Sequence, residues 1–189
     1  VLVFRSGALV YKQTAAAAAI TGNGTAQPSV ELNCNLQAGD KVYVVANYPA
    51  AVGTSLQGLG TGAAESALSP LLVYDNPVYD AAMAASDPQP MYGSVVWSSG
   101  SNVCTLVRSL AKVTVELGNS GIFAGKSVKY TLAGAPRKTS MEVVYDPDAD
   151  RYEIPNAGAI GGTWSTAVDA DGMPALTAGN YGAPYRLSA

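Results

Sequence analysis

From Val30 to Gln37 every other residue is apolar: Val30, Leu32, Cys34 and Leu36 alternate with Glu31, Asn33, Asn35 and Gln37. A period of two predicts a strand with one face in a core and one in water. Ala38-Gly39-Asp40 reads as a turn. Lys41-Val42-Tyr43-Val44-Val45-Ala46-Asn47 reads as the next strand, so the two runs predict a hairpin. A second clear alternation is Ala111 to Leu117, with Ala111, Val113, Val115 and Leu117 on one face and Lys112, Thr114 and Glu116 on the other. Val128 to Leu132 alternates the same way, and Val103 to Arg108 does so more weakly. Near the start, Val1 to Phe4 and Ala8 to Gln13 flank Arg5-Ser6-Gly7, a predicted tight turn. The core is expected to hold Val30, Leu32, Cys34, Leu36, Val113 and Val115.

Between these runs the pattern is less regular. Ala15 to Ala19 is too short to nucleate a stable helix and reads as a loop or a single turn. Ala63 to Leu68, before Pro70, and Val78 to Ala85, before Asp87-Pro88, read as short helices. From Asp146 onward Asp, Gly and Pro are scattered, and no strand longer than about four residues is predicted. The sum is an all-β, antiparallel β-sandwich with short helical excursions. A boundary falls near residue 140, giving a first domain over 1–140 and the start of a second over 141–189.

Composition narrows the function classes. The chain has 189 residues, and charged residues make up only 13%, about half the usual ~25%. Hydrophobic residues are 48%, but 31 residues are Ala, so bulky apolar content is modest. A net charge of −3 argues against a nucleic-acid partner, which needs a basic stripe. The charge is too low and the apolar content too high for a disordered chain. With no His, Ser-His-Asp and Cys-His catalysis and His-ligated metals are excluded. No apolar run reaches the ~18 residues of a membrane span. No basic segment followed by an apolar one marks a leader, and the first residue is Val, so a processed or trimmed chain is expected.

Candidate chemistry is sparse. Asp146-x-Asp148-x-Asp150 resembles the start of a calcium loop, but Arg151 and Ala157 stand where an EF-hand needs Gly and Glu. A solvated acidic turn is the expected reading, as it is for Asp169 to Gly172. Cys34 and Cys104 fall in two predicted strands; two buried small side chains are favoured over an inter-strand disulfide. Eleven Tyr, with Trp97 and Trp164, leave a glycan-binding face open. No spacing nominates a catalytic pair, and an enzyme without His would need a pocket of converging Asp, Glu, Lys or Ser groups. No catalytic residue, metal or cofactor is assigned.

Three segments carry a family resemblance. Cys34 to Asn47, with Gly39 in its turn and Ala46-Asn47 at its end, resembles the second-strand signature of the fimbrillin family. Pro90-Met91-Tyr92-Gly93 resembles that family's Pro-Met-x-Gly segment. Arg108-Ser109-Leu110-Ala111-Lys112-Val113-Thr114-Val115 resembles its block of Arg, two residues, Ala-Lys and a strand. The three occur in the family's order over residues 1 to about 140.

The resemblance implies a type V pilus subunit or fimbrial adhesin of the Bacteroidetes type, with a transthyretin-like, Greek-key sandwich. It implies a chain exported as a lipoprotein precursor, located at the outer-membrane-associated cell surface in a pilus, and touching membrane only through the precursor's lipid anchor. Its partners would be other pilin subunits, joined by donor strand exchange, and a host or bacterial surface receptor; its role would be structural and adhesive, and not enzymatic. Strand addition rests on unpaired backbone groups of a sheet edge and on pockets for alternate side chains. Val1, Leu2, Val3 and Phe4 are expected to form the first strand beside the accepting groove. The resemblance also implies a full second domain, of which 141–189 would be only the beginning. Arg5 is expected to sit in a turn, with processing upstream of Val1. The alternative is a carbohydrate-binding β-sandwich module on the cell surface, with Trp97, Trp164 or several Tyr exposed in a line.

Overall fold

A computed structural model describes residues 1–23, 25, 27–75, 89–99, 102–109, 112–115, 130–131, 135–136, 138–155, 163–164, 167–168 and 185–188. In chain order the strands are β1 (Leu2–Arg5), β2 (Ala8–Lys12), β3 (Lys41–Ala46), β4 (Val73–Asp75), β5 (Met91–Val96), β6 (Val107–Arg108), β7 (Lys112–Val115), β8 (Tyr130–Thr131), β9 (Ala135–Pro136), β10 (Lys138–Ser140), β11 (Val144–Asp146), β12 (Arg151–Glu153), β13 (Thr163–Trp164), β14 (Ala167–Val168) and β15 (Tyr185–Ser188). Two short helices, α1 (Ala50–Gly58) and α2 (Leu68–Leu71), lie between β3 and β4. The protein is therefore mostly strands in antiparallel sheets, with few short helices, as the alternation predicts.

The main sheet has five strands in the order β2-β1-β3-β5-β6, and every neighbouring pair is antiparallel. The β1–β2 hairpin closes through Ser6 and Gly7, both at positive φ (50° and 78°). That is the turn whose twist matches paired strands, and Gly at its second position carries no Cβ penalty. Arg5 ends β1, opposite Ala8.

The register divides the side chains between two faces. Leu2, Phe4, Leu9, Tyr43, Val45 and Tyr92 share one face, and α1, α2, Tyr74 and Met141 pack over it. Val52, Leu56 and Leu59 of α1 and its C-terminal flank, together with Leu68 and Leu72, complete this core. Phe4 meets Tyr43 edge to face at 5.5 Å between ring centres, a favoured aromatic geometry. Lys12 ties the layers together: its Nζ donates to the carbonyls of Leu56, Gln57 and Leu59 at 2.7–3.1 Å, at the C-terminal end of α1, where carbonyls run short of helical donors; Leu56 C=O accepts from Leu59 N–H as well.

A β-bulge sits between these faces. Val3 pairs with Tyr11 and Phe4 with Leu9, leaving Val10 as the extra, exposed residue. Strict alternation would put Leu9 and Tyr11 on one face. The bulge instead sends Leu9 into the helix-covered core and Tyr11 to the opposite face.

The segment 30–37 corrects the sequence expectation. It forms no strand and no hairpin with β3, because both flanks of β3 are already taken by β1 and β5. Its burial still alternates: Val30, Leu32, Cys34 and Leu36 are half-buried, and Glu31, Asn33, Asn35 and Gln37 are exposed. The apolar set is thus no part of the core cluster. Val113 and Val115 lie on β7, whose backbone pairs with β15, but their side chains fall outside the described residues. So does the helix expected over Val78 to Ala85.

Around Ala63 to Leu68 the chain forms a single 3-10 turn (Glu65–Ala67) running into α2, and Pro70 lies within α2. In the first turn of a helix the missing N–H of Pro costs no internal bond. The Ala tract holds one 3-10 turn, Ala17–Ala19. β10 pairs with β4, and Met141 N–H donates to Leu72 C=O at 3.0 Å; Met141, just past residue 140, is fully buried in the first core.

Candidate functional site

The second face of the sheet carries Val3, Arg5, Tyr11, Val42, Gly93, Val95 and Trp97, by register and its continuation through the Trp97 N–H to Asp40 C=O bond. Val3 and Val42 are buried, although neither belongs to the helix-covered core. Two segments outside the sheet's strands cross this side. One is 30–37, referred to below as the strap. The other is 102–106, whose Thr105 carbonyl lies where a Cβ on Gly93 would sit, at 2.2 Å from that position. Only a glycine at 93 lets this backbone approach so closely.

Between the two segments lies an open groove of about 690 Å³, lined by Val30, Leu32, Cys34, Asn35, Leu36, Trp97 and Asn102. All four apolar residues of the alternation line it. Asn102 is folded against Ser98: its side-chain carbonyl accepts from Ser98 N–H at 3.0 Å and its amide donates to Ser98 C=O at 2.8 Å.

The strap hangs on side chains of the sheet and on Asp40. Gln13 Nε2 donates to Glu31 C=O at 2.9 Å. Asn33 N–H donates to Tyr11 Oη at 3.2 Å and to Gln13 Oε1 at 3.4 Å. Arg5 Nη2 donates to Asn35 C=O at 3.0 Å, and Gln37 N–H donates to Asp40 Oδ2 at 2.8 Å. Tyr11 Oη also donates to Gln13 Oε1. The bonded positions are 31, 33, 35 and 37. Among the described residues, the backbone groups of Leu32, Cys34 and Leu36 have no hydrogen-bond partner.

Arg5 and Asp40 fix one end of this arrangement. Arg5 Nε reaches Asp40 Oδ1 at 2.9 Å and Nη2 reaches Oδ2 at 2.8 Å, a two-pronged pair. Asp40 is 1% exposed and Arg5 35%. Hydrogen bonding from Arg5, helped by Gln37 N–H, holds the Asp40 carboxyl below its ordinary range against the opposing effect of burial. Arg5 thus ends β1 and anchors the strap while the turn itself is Ser6-Gly7. Burial raises the Cys34 thiol, with a further push from Asp40, and burial raises Cys104 too; both cysteines are free.

Val1 to Phe4 are expected as the first strand, and the first strand is β1, Leu2–Arg5. β1 is paired on both sides, by β2 and β3, and Leu2, Val3 and Phe4 are buried. It offers no open edge. The outer side of β2 is partly covered too, since Leu9 exchanges bonds with Ala63 and Gly62 at 2.9 and 2.8 Å.

The other expected positions gather at one end of the sheet. Ala46 pairs with Met91, and Met91 with Arg108. Asn47, at φ 54°, donates from Nδ2 to Gln89 C=O at 3.1 Å. Pro90 C=O accepts from Ser109 N–H at 3.0 Å. Segments far apart in sequence therefore meet around the ends of β3, β5 and β6. Gly39 lies at the opposite end, at φ 90°, its N–H donating to Trp97 C=O at 2.9 Å. Lys112 opens β7, and Ala111 falls outside the described residues.

Other candidates resolve as local structure. Asp146 Oδ1 accepts from Asp148 N–H at 2.9 Å and Ala149 N–H at 3.3 Å, which makes the acidic run the turn of the β11–β12 hairpin. Tyr145 and Tyr152 face each other across that hairpin, 5.3 Å between rings, and both are exposed. Trp97 is half-buried in the groove, and the side chain of Trp164 falls outside the described residues.

Sequence reasoning missed Tyr11, Gln13, Asn35 and Asn102. The bulge that turns Tyr11 toward the strap leaves no mark in the alternation. The Asp40 contact had one signal, an acidic residue directly after a turn Gly and before a strand.

No known protein family, curated protein or solved structure matches this chain.

Proposed function

We propose that the protein is a structural subunit of a cell-surface pilus, a member of the fimbrillin type, whose incomplete second layer accepts a β-strand from a neighbouring subunit. The observation that carries this reading is the strap. It bends at Asn33 and Cys34 but keeps an alternate pattern along its length: its apolar side chains line an open groove, and the backbone groups of Leu32, Cys34 and Leu36 are unpaired among the described residues. Those are the two requirements of strand addition: backbone partners along an edge and pockets for every second side chain. A strand laid between the strap and the 102–106 segment would complete a two-layer, transthyretin-like sandwich over the second face. Among ligands, an extended polypeptide is the one that satisfies backbone donors and acceptors at a two-residue repeat.

Two further features fit a surface covered by neighbours. Charged residues are 13% of the chain. Val103, next in the chain to the groove-lining Asn102, is an apolar residue that is 68% exposed. On this reading the chain is exported to the outer-membrane-associated surface, its partners are other pilin subunits, and adhesion follows from the assembled fibre. On this reading the strap, and not β1, supplies the accepting edge.

The test is to express the full precursor, treat it with an arginine-specific protease, and look for denaturant-resistant ladders and filaments. Ladders are expected. Monomers under every condition would overturn the reading.

A second reading, a carbohydrate-binding module, is favoured by Trp97 beside the amides of Asn35 and Asn102 in a groove of ligand size. It predicts quenching of Trp fluorescence by oligosaccharides. A flat titration across a broad oligosaccharide panel would exclude it.

A further inference from the structure

We propose that Tyr11, Gln13, Arg5 and Asp40 are positioning residues that lock the strap in one register with its outer edge turned away from the sheet. The inference rests on the strand-accepting reading and assigns the residues that keep the accepting edge available. Four observations carry it.

The first is spacing. The clamped backbone groups belong to Glu31, Asn33, Asn35 and Gln37, every second residue along the strap. All are held by side chains of the sheet and its flanks, across the bend at Asn33 and Cys34, while the groups of Leu32, Cys34 and Leu36 have no partner among the described residues. Slipping the strap by one residue would bring the apolar side chains out of the groove and reverse the two edges.

The second is residue type. Layers of packed strands stand about 10 Å apart, too far for backbone-to-backbone bonds. Arg, Tyr and Gln are long enough to bridge layers, and these are the residues that do so.

The third is direction. The sheet supplies both donors and acceptors in the order the strap requires. Gln13 donates at 31, Tyr11 accepts at 33, Arg5 donates at 35, and Asp40 accepts at 37. Tyr11 spends its own proton on Gln13, which leaves its oxygen free to accept from Asn33 and orients the Gln13 amide toward Glu31. A slip of one residue would turn these backbone groups away from the four side chains that hold them.

The fourth is the bulge at Val10. It costs β2 a regular ladder and places Tyr11 on the strap side while Leu9 stays in the core.

Amide exchange on the isolated full chain, read residue by residue by NMR, tests the clamp. The expected pattern is alternate: Asn33 and Gln37 protected, and Leu32, Cys34 and Leu36 exchanging at least about ten times faster, the ratio for a hydrogen bond present against one absent. Tyr11→Phe should speed exchange at Asn33 and leave Gln37 unchanged. Asp40→Ala, which removes the acceptor, should do the reverse. Tyr11→Phe keeps the ring and should fold; its far-ultraviolet circular dichroism is the check. In the precursor assay, Tyr11→Phe should slow ladder formation.

Uniform exchange along the strap, or variants that change all strap amides together, would overturn the clamp. The alternate pattern, with no ladders from the wild-type precursor, would keep the clamp and remove the pilin reading.

Discussion

Gly93→Ala probes the packing that bounds the groove. A Cβ at residue 93 would lie 2.2 Å from the Thr105 carbonyl oxygen and 3.0 Å from Leu106 Cδ2. An ordinary carbon-to-oxygen contact is about 3.3 Å, so the two backbones must part by about 1 Å. The 102–106 segment has little room to yield. Just beyond it, Val107 and Arg108 pair with Tyr92 and Met91, and Ser109 N–H is bonded to Pro90 C=O at 3.0 Å. Overpacking costs about 1–3 kcal/mol, and a clash with backbone belongs at the upper end, about 2–3 kcal/mol. For a chain of this size, that lowers Tm by about 4–12 °C. Gly58→Ala is the control, because the space around Gly58 is open and it lies in α1. There the smaller backbone entropy of Ala in the unfolded chain should stabilise by about 0.5–1 kcal/mol. Urea unfolding of both variants, read by circular dichroism, measures the difference. A Gly93→Ala variant within about 0.5 kcal/mol of the parent would refute the close approach of 102–106 to the sheet.

Met141→Ala removes a fully buried side chain and should cost about 2–5 kcal/mol, measured by the same unfolding; a surface-like effect would show that the chain past residue 140 stands apart from the first core. Asp40 has its carboxyl held low in the folded state, so its stabilisation is complete above the unfolded value and is lost as pH falls through the folded one. Asp40→Asn should therefore flatten the acid limb of stability below the usual carboxylate range, and an unchanged limb would contradict the Arg5–Asp40 pair. Cys34 lines the groove, so a thiol reagent should label it slowly in the monomer, burial having raised its thiol, and not at all in assembled material.

Much of the strand framework is legible from alternation. Val1–Phe4, Ala8–Gln13 and Lys41–Asn47 correspond to β1, β2 and β3 within a residue, because a two-residue period at a half-buried sheet leaves few other readings. The segment 30–37 shows where that logic stops. Its apolar and polar positions alternate as in a paired strand, and its burial follows, yet alternation reports which side faces an apolar surface and not whether a neighbour supplies hydrogen bonds. The helix α1 went unread because Ala, Gly, Thr and Ser dominate it, though Pro49 before it and Val52, Leu56 and Leu59 at helical spacing mark it in retrospect. At the site, Leu32, Cys34 and Leu36 were visible as a face, while Tyr11 depends on a bulge and Arg5–Asp40 on a contact across 35 positions, neither of which leaves a local pattern.

The central claim is that a neighbour's strand pairs with the strap. Amide exchange at Leu32, Cys34 and Leu36, compared between monomer and assembled material, tests it most directly. The account predicts fast exchange at all three in the monomer and strong protection at all three after assembly, with Asn33 and Gln37 protected throughout. Filaments in which Leu32, Cys34 and Leu36 still exchange as fast as in the monomer would contradict it.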